Sequence, residues 1–160
     1  MVAVHSHSDS VVVAADPNTV YDVVADVTRT GEWSPICEAC WWDAGDEPGP
    51  DGPRVGAWFT GRNVTPDRTW ETRSLVVAAD RGREFAWLVW GKYARWGYTL
   101  RATDGGTELT ESWQFLDEGI EYFHGKYGDE AQAQIQNRID AAHSGIPATL
   151  ARVKDSVEGS

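Results

Sequence analysis

Two cysteines, one methionine and no extended apolar run stand in a chain of 160 residues, and each scarcity removes a class of protein. The longest apolar stretches fall within residues 10–15 and 75–79, whereas a membrane-spanning helix needs about 20 apolar residues, so no stable membrane insertion is expected. The opening Met1-Val2-Ala3-Val4-His5-Ser6-His7-Ser8 lacks a basic segment followed by an apolar one. No secretory signal is read there, and the expected location is cytoplasmic. Basic residues are scarce as well: 14 Lys and Arg against 25 Asp and Glu give a formal charge of −11. That balance repels nucleic-acid phosphates and anionic lipid surfaces, so no nucleic-acid partner is expected and the acidic residues read as a solvated surface. No Gly-rich phosphate loop, Gly-x-Ser-x-Gly elbow or metalloprotease motif occurs. The two cysteines form one short spacing, Cys37-Glu38-Ala39-Cys40. With no second pair and no His cluster nearby they lack the ligands of a tetrahedral metal site. Cys40 also falls within an expected strand, where alternation sends residues to opposite faces, so both read as separate reduced thiols. Neither a metal nor a cofactor is expected.

Leu and Ile, the usual fillers of a well-defined core, are also sparse, yet the chain carries nine Trp, five Tyr and four Phe. A chain of this length supports one sizeable core, and residues 1–160 are read as a single domain. Two uses of so much aromatic surface stay open: rigid walls around a hollow, or a core packed with the protein's own rings.

Periodicity divides the chain. Residues 9–15, with Val11-Val12-Val13, read as a first strand that stops at Asp16-Pro17. There Asp16 is the expected N-cap and Pro17 the first residue of a helix carrying Val20, Val23, Val24 and Val27 on one face. A short turn-like or helical segment, residues 28–35, holds Trp33 before Pro35. Six further strands are expected at 38–43, 55–63, 69–78, 83–90, 95–102 and 107–115, separated by turn chemistry such as Thr65-Pro66-Asp67, Asp80-Arg81-Gly82 and Asp104-Gly105-Gly106. Short turns between consecutive strands make an antiparallel meander. After a looser stretch, residues 117–128, a long helix capped by Asp129 carries Ile135, Ile139, Ala142, Ile146, Leu150, Val153 and Val157 at steps of three or four. Gly145 and Pro147 are expected to weaken its hydrogen bonding and bend it. An apolar sheet face and an apolar helix stripe are natural partners, giving an α+β layering.

This order, together with Ala15-Asp16-Pro17, Glu32-Trp33-Ser34-Pro35, Val55-Gly56-Ala57-Trp58-Phe59-Thr60-Gly61-Arg62-Asn63, Trp96-Gly97-Tyr98-Thr99-Leu100 and Gly105-Gly106-Thr107-Glu108-Leu109-Thr110-Glu111, resembles the START/Bet v 1-like (SRPBCC) superfamily, and within it the polyketide cyclase/dehydrase branch. The resemblance implies a helix-grip fold: a curved seven-stranded antiparallel sheet wrapped around a long C-terminal helix, with two short helices after the first strand. It also implies a ligand cavity between the concave sheet face and that helix, with its mouth near the short helices and the strand-connecting loops. Lipid carriers, receptors and cyclases all belong to this superfamily, and fold alone does not choose among them.

Alternation supplies the side chains. Trp96, Tyr98 and Leu100 share one face of their strand, and Leu109, Glu111, Trp113 and Phe115 share one face of the next. The expected ligand-binding set is Trp33, Phe59, Asn63, Trp70, Trp87, Tyr98, Trp113, Ile139 and Ile146. Glu111, placed among apolar side chains, is the first candidate general acid or base. Its alternatives are an ion pair with an inward Arg and a register slip that turns it outward. His124 and His143 are further candidates for proton transfer, whereas His5 and His7 fall in an end expected to fray. Some aromatase/cyclase relatives carry an inward Arg on the strand after a Trp like Trp70. Here the Arg of that strand, Arg73, is expected to face solvent. The function read from these residues is binding of a small hydrophobic or aromatic molecule, lipid-like or polyketide-like, by a monomer or homodimer. The alternatives are a cyclase/dehydratase enzyme using an acid/base residue in the same cavity, and an interaction protein whose cavity is filled by its own aromatics.

Overall fold

A computed structural model describes residues 5–159; the first four residues, part of the stretch read for a signal, lie outside the described residues. Strand β1 (Ser6–Val13) begins earlier than the valine run suggests, because residues from Ser6 onward pair with a distant strand. His7 therefore sits in the sheet and not in a frayed end. Helix α1 (Pro17–Val24) starts on Pro17 and buries Val20, Tyr21 and Val24. Asp16 occupies its N-cap with extended backbone, but its carboxylate accepts the Thr19 hydroxyl and caps no backbone amide. A 3-10 helix, Val27–Glu32, follows, with the Asp26 carboxylate accepting the Thr28 amide.

Strands β2 (Cys37–Trp42), β3 (Trp58–Thr65), β4 (Arg68–Asp80), β5 (Glu84–Val89), β6 (Ala94–Thr103) and β7 (Gly106–Phe115) complete one antiparallel sheet in the order β1-β7-β6-β5-β4-β3-β2. Consecutive strands pair from β2 to β7, and the single long-range closure sets Val11 opposite Leu109. Thr107 seals the corner, fully buried and donating to the Ala15 carbonyl at 2.7 Å.

Residues 117–128 are not a loose stretch. They hold helix α2 (Asp117–Tyr127), and a 3-10 turn, Gly128–Glu130, leads into helix α3 (Ala131–Glu158). Two glycines and many charges dilute the apolar stripe of Ile120, Phe123 and Tyr127. Gly119 is there for space: a Cβ on it would lie 2.3 Å from both the Phe115 ring and the Tyr93 carbonyl oxygen. Asp129 belongs to the 3-10 turn, so Glu130 and not Asp129 stands at the N-cap of α3. Helical structure in α3 is also unbroken at Gly145 and Pro147. Pro147 is exposed, so the carbonyl that loses its amide partner can be hydrated while Ile146, Thr149 and Leu150 stay packed. α3 packs on β1, β7 and α1. The result is a helix-grip fold: a curved seven-stranded open sheet around a long C-terminal helix, with two short helices after β1.

Candidate functional site

Strict alternation in β7 buries Thr107, Leu109, Glu111, Trp113 and Phe115 on the concave face, and Tyr98 and Leu100 of β6 lie beside them. Register sets Tyr98 directly opposite Glu111 and Trp96 opposite Trp113. Between this face and α3 lies a cavity of about 830 Å³. Its rings touch in sequence: Phe59 and Trp87 at 5.9 Å between centroids, Trp87 and Tyr98 at 6.0 Å, Trp96 and Trp113 at 6.3 Å, Trp113 and Phe115 at 5.9 Å. Edge and tilted contacts at these distances make stiff walls, because each ring is held by its neighbours.

Glu111 is 5% exposed and lines this cavity. Its Oε1 has no hydrogen-bond partner. Burial disfavours the carboxylate and pushes its pKa up to about 8, against the opposing effect of a hydrogen bond from the Tyr98 hydroxyl. Tyr98 in turn is pushed well above the usual phenol range, by burial first and then by the neighbouring Glu111, while the Trp33 indole N–H hydrogen-bonds it. Trp33, Tyr98 and Glu111 thus form a short polar line in an apolar wall, and a neutral Glu111 could donate a proton or hydrogen bond to a polar group placed against it.

Trp33, Phe59, Asn63, Trp70, Trp87, Tyr98 and Trp113 line the cavity together with Glu111. Ile139 and Ile146 do not: Ile146 is buried in the core and Ile139 packs against it. The α3 residues that face the hollow are Arg138, Ala141, Ala142, Gly145 and Thr149, whose mostly short side chains leave the space open. The isoleucines stand beside them on the stripe and fill the packed flank. His124 is exposed on α2 and is not part of the wall. His143 is exposed on the outside of α3, where its ring stacks on His7 with centroids 4.0 Å apart. Neither histidine is in position for chemistry in the cavity. Arg73 points outward, paired with Asp43 at 2.7 Å and lying over the Trp58 ring.

Exposed members of the wall include Arg68, Glu71, Trp90, Lys92, Tyr122 and Lys126, at the β3–β4 turn, the β5–β6 turn and α2, and Pro35, just after the 3-10 helix. Strand-connecting turns therefore contribute to the opening, while Val24, Val27 and Trp33, which also line the cavity, are buried. Trp90 adopts φ 54, a left-handed conformation costly for a bulky side chain. Arg68 lies over the Trp70 ring, 4.1 Å from its centroid, and Arg138 over Phe123 at 5.1 Å. Neither guanidinium is paired with a carboxylate among the described residues. Burial lowers the pKa of Arg138, a sign that its charge is held partly out of water. Tyr127 joins them: burial would raise its phenol, but a hydrogen bond to Arg68 and the nearby cations outweigh that and lower it. Residue types alone did not single out these cations, because an arginine in a turn and one on a helix read as solvent-facing until tertiary structure brings them to one opening.

Cys37 and Cys40 also reach the wall. Pairing in β2 shifts between Cys37 and Ala39, so Glu38 is an extra residue in the strand. The bulge restores both cysteines to one side, with their sulfurs 3.1 Å apart, which corrects the expectation of thiols on opposite faces. Among the described residues no group of three His, Cys, Asp or Glu side chains is placed to hold a metal ion. Nor is any helix among the described residues long and apolar enough to cross a membrane.

A helix-grip sheet closed over an aromatic cavity defines the fold class, and sequence similarity gives the family. The sequence pattern of the family described as polyketide cyclase/dehydrase and lipid transport matches residues 4–143, and the chain belongs to that family. Among solved structures it is similar to the polyketide-cyclase-like protein Cgl2372 of Corynebacterium glutamicum, with 49% identity over 96% of this chain and 91% of that one and a TM-score of 0.69. It is similar in fold to the di-domain aromatase/cyclase StfQ of the steffimycin biosynthetic pathway, with 14% identity over 97% of this chain and 51% of that one and a TM-score of 0.69. It is likewise similar in fold to Ms6760 of Mycobacterium smegmatis, with 17% identity over 98% of this chain and 92% of that one and a TM-score of 0.65. None of the curated proteins matches the chain.

Proposed function

We propose that this protein binds one small hydrophobic or aromatic molecule, lipid-like or polyketide-like, between the sheet and α3. The observation that carries the reading is the aromatic-walled hollow of about 830 Å³, a volume within the usual range for small-molecule sites and far larger than a packing defect. Trp70, Trp87, Trp96 and Trp113 offer flat apolar surface to the occupant. Arg68 and Arg138 favour one whose outer end carries an acidic or enolic oxygen, since a guanidinium without a carboxylate partner gains most from an anion.

Titration of the purified protein with a fatty acid and with a planar fluorescent naphthalene sulfonate tests this directly. Saturable quenching of Trp emission at one molecule per chain is expected. Trp87→Ala should weaken it by about tenfold or more, as loss of a buried aromatic contact does, and Trp41→Ala, at a residue 39% exposed and outside the wall, should leave it unchanged. No saturable signal from either probe, or equal losses at both positions, would sink the reading.

One observation favours a second reading, a cyclase/dehydratase: the buried carboxyl of Glu111 beside Tyr98. Held neutral, Glu111 can pass its proton to a carbonyl oxygen of a folded poly-carbonyl chain while the carboxylate so formed takes a proton from the adjacent carbon, which leaves an enol and returns the carboxyl to its starting state. The cavity would supply the folding of the chain by confinement. Glu111→Gln separates the readings. Loss of turnover with affinity kept supports the enzyme, and unchanged turnover of a poly-carbonyl substrate removes it.

A further inference from the structure

The two cysteines have no part in the reading above, yet several independent features converge on them. Residues three apart in a regular strand point to opposite faces; here a bulge at Glu38 turns both Sγ atoms to the same side, 3.1 Å apart. The strand opposite contributes Gly61, which pairs with Cys40. A Cβ there would lie 3.2 Å from the Cys40 sulfur and 3.6 Å from the Cys37 sulfur, so glycine leaves free the space that the two sulfurs share. The start of the strand is held as well, by the Ser34 hydroxyl accepting the Cys37 amide at 2.9 Å and the Ile36 amide at 3.2 Å. Both residues are half-buried and line the cavity, so a small reagent reaches them from within. A zinc reading fails for want of a third ligand among the described residues.

We propose that Cys37 and Cys40 are a redox-active dithiol that closes reversibly to a disulfide in the cavity wall by exchange with a small-molecule disulfide. Cys40 is the attacking sulfur: hydrogen bonds from Cys37 and Thr30 favour its thiolate against the opposing effect of burial, while the hydrogen bond to Cys40 and then burial hold the Cys37 thiol up. The Cys40 thiolate attacks one sulfur of the small disulfide, breaking its S–S bond and releasing one thiolate, which takes up a proton from water. Cys37, giving its proton to the second departing thiolate, then attacks the Cys40 sulfur of the mixed disulfide and expels it. The dithiol loses two electrons and two protons, and the small disulfide gains both as two thiols.

The test is redox titration of the folded protein in glutathione buffers of increasing oxidised fraction, quenched with N-ethylmaleimide and read by intact mass. A single transition from two alkylated sulfurs to none is expected, reversed by dithiothreitol. Cys37→Ser should stop at one glutathione adduct per chain, and Cys40→Ser should form its adduct about tenfold more slowly, as a less ionised attacking thiol does. Two sulfurs still alkylated under excess oxidised glutathione would overturn the proposal. So would a disulfide that forms only in urea, or protection from alkylation that a chelator abolishes, which would mean a bound metal. The wild-type titration decides the matter even if a serine variant does not fold.

Discussion

Glu111→Gln should change the pH dependence of stability with a sign and size that follow from the site. The carboxyl keeps its proton in the folded protein up to about pH 8, whereas the unfolded chain releases it near the ordinary value of 4.5. Between these limits the folded state binds one more proton than the unfolded state, so unfolding becomes easier as pH rises. The stability held by the neutral carboxyl is complete below about 4.5 and declines toward 8, at about 1.4 kcal/mol per pH unit. Gln keeps the shape and cannot ionise, so it removes this slope. All other titrating groups are shared by the two proteins, and their difference isolates Glu111. From pH 5 to pH 7.5 the variant should gain about 3 kcal/mol on the wild type, which in a domain of this size is a relative rise in Tm of about 10 °C. Urea melts at half-unit steps of pH, with thermal scans as a second probe, measure it. A difference that stays flat would mean that Glu111 is ionised in the folded state. A difference that shrinks as pH rises toward about 4.5 would mean that the Tyr98 hydroxyl favours the carboxylate more than burial opposes it.

Thr107→Val removes the hydroxyl that donates to the Ala15 carbonyl from a fully buried position, and should cost about 1–3 kcal/mol in a urea melt. Gly119→Ala drives a Cβ to 2.3 Å from the Tyr93 carbonyl oxygen and the Phe115 ring, so a loss of at least about 2 kcal/mol is expected, together with weaker protection of α2 amides in hydrogen exchange. Arg138→Gln should weaken binding of a fatty acid by about tenfold and leave its methyl ester unaffected, as loss of one charge-assisted contact requires. Equal effects on acid and ester would remove Arg138 as an anion anchor.

Much of the fold was legible locally. The six-strand meander, the proline-started helix and the long helical stripe all follow from spacing, because a strand repeats every two residues and a helix every 3.6, whatever surrounds them. The same alternation in β6 and β7 directs Tyr98, Glu111 and Trp113 to one face, and those three meet in the cavity wall. Where reading by period went astray, the deciding partner lay elsewhere in the chain. Periodicity placed Ile139 and Ile146 on the inward stripe, but only the packed helix distinguishes the part of a stripe that meets a hollow from the part that meets the core. Residues 117–128 read as a loose stretch, and only the Tyr93 carbonyl and the Phe115 ring beside Gly119 show why a glycine stands in that helix. His124 and His143 lie near apolar residues in sequence yet on outer helix surfaces in space. Composition and periodicity by themselves determined the layers of this protein and the aromatic character of its interior. Tertiary structure alone decided that Arg68 and Arg138 share one opening and that a bulge brings Cys37 against Cys40, because register, bulges and helix docking are set by cross-strand and interlayer partners that no local pattern encodes.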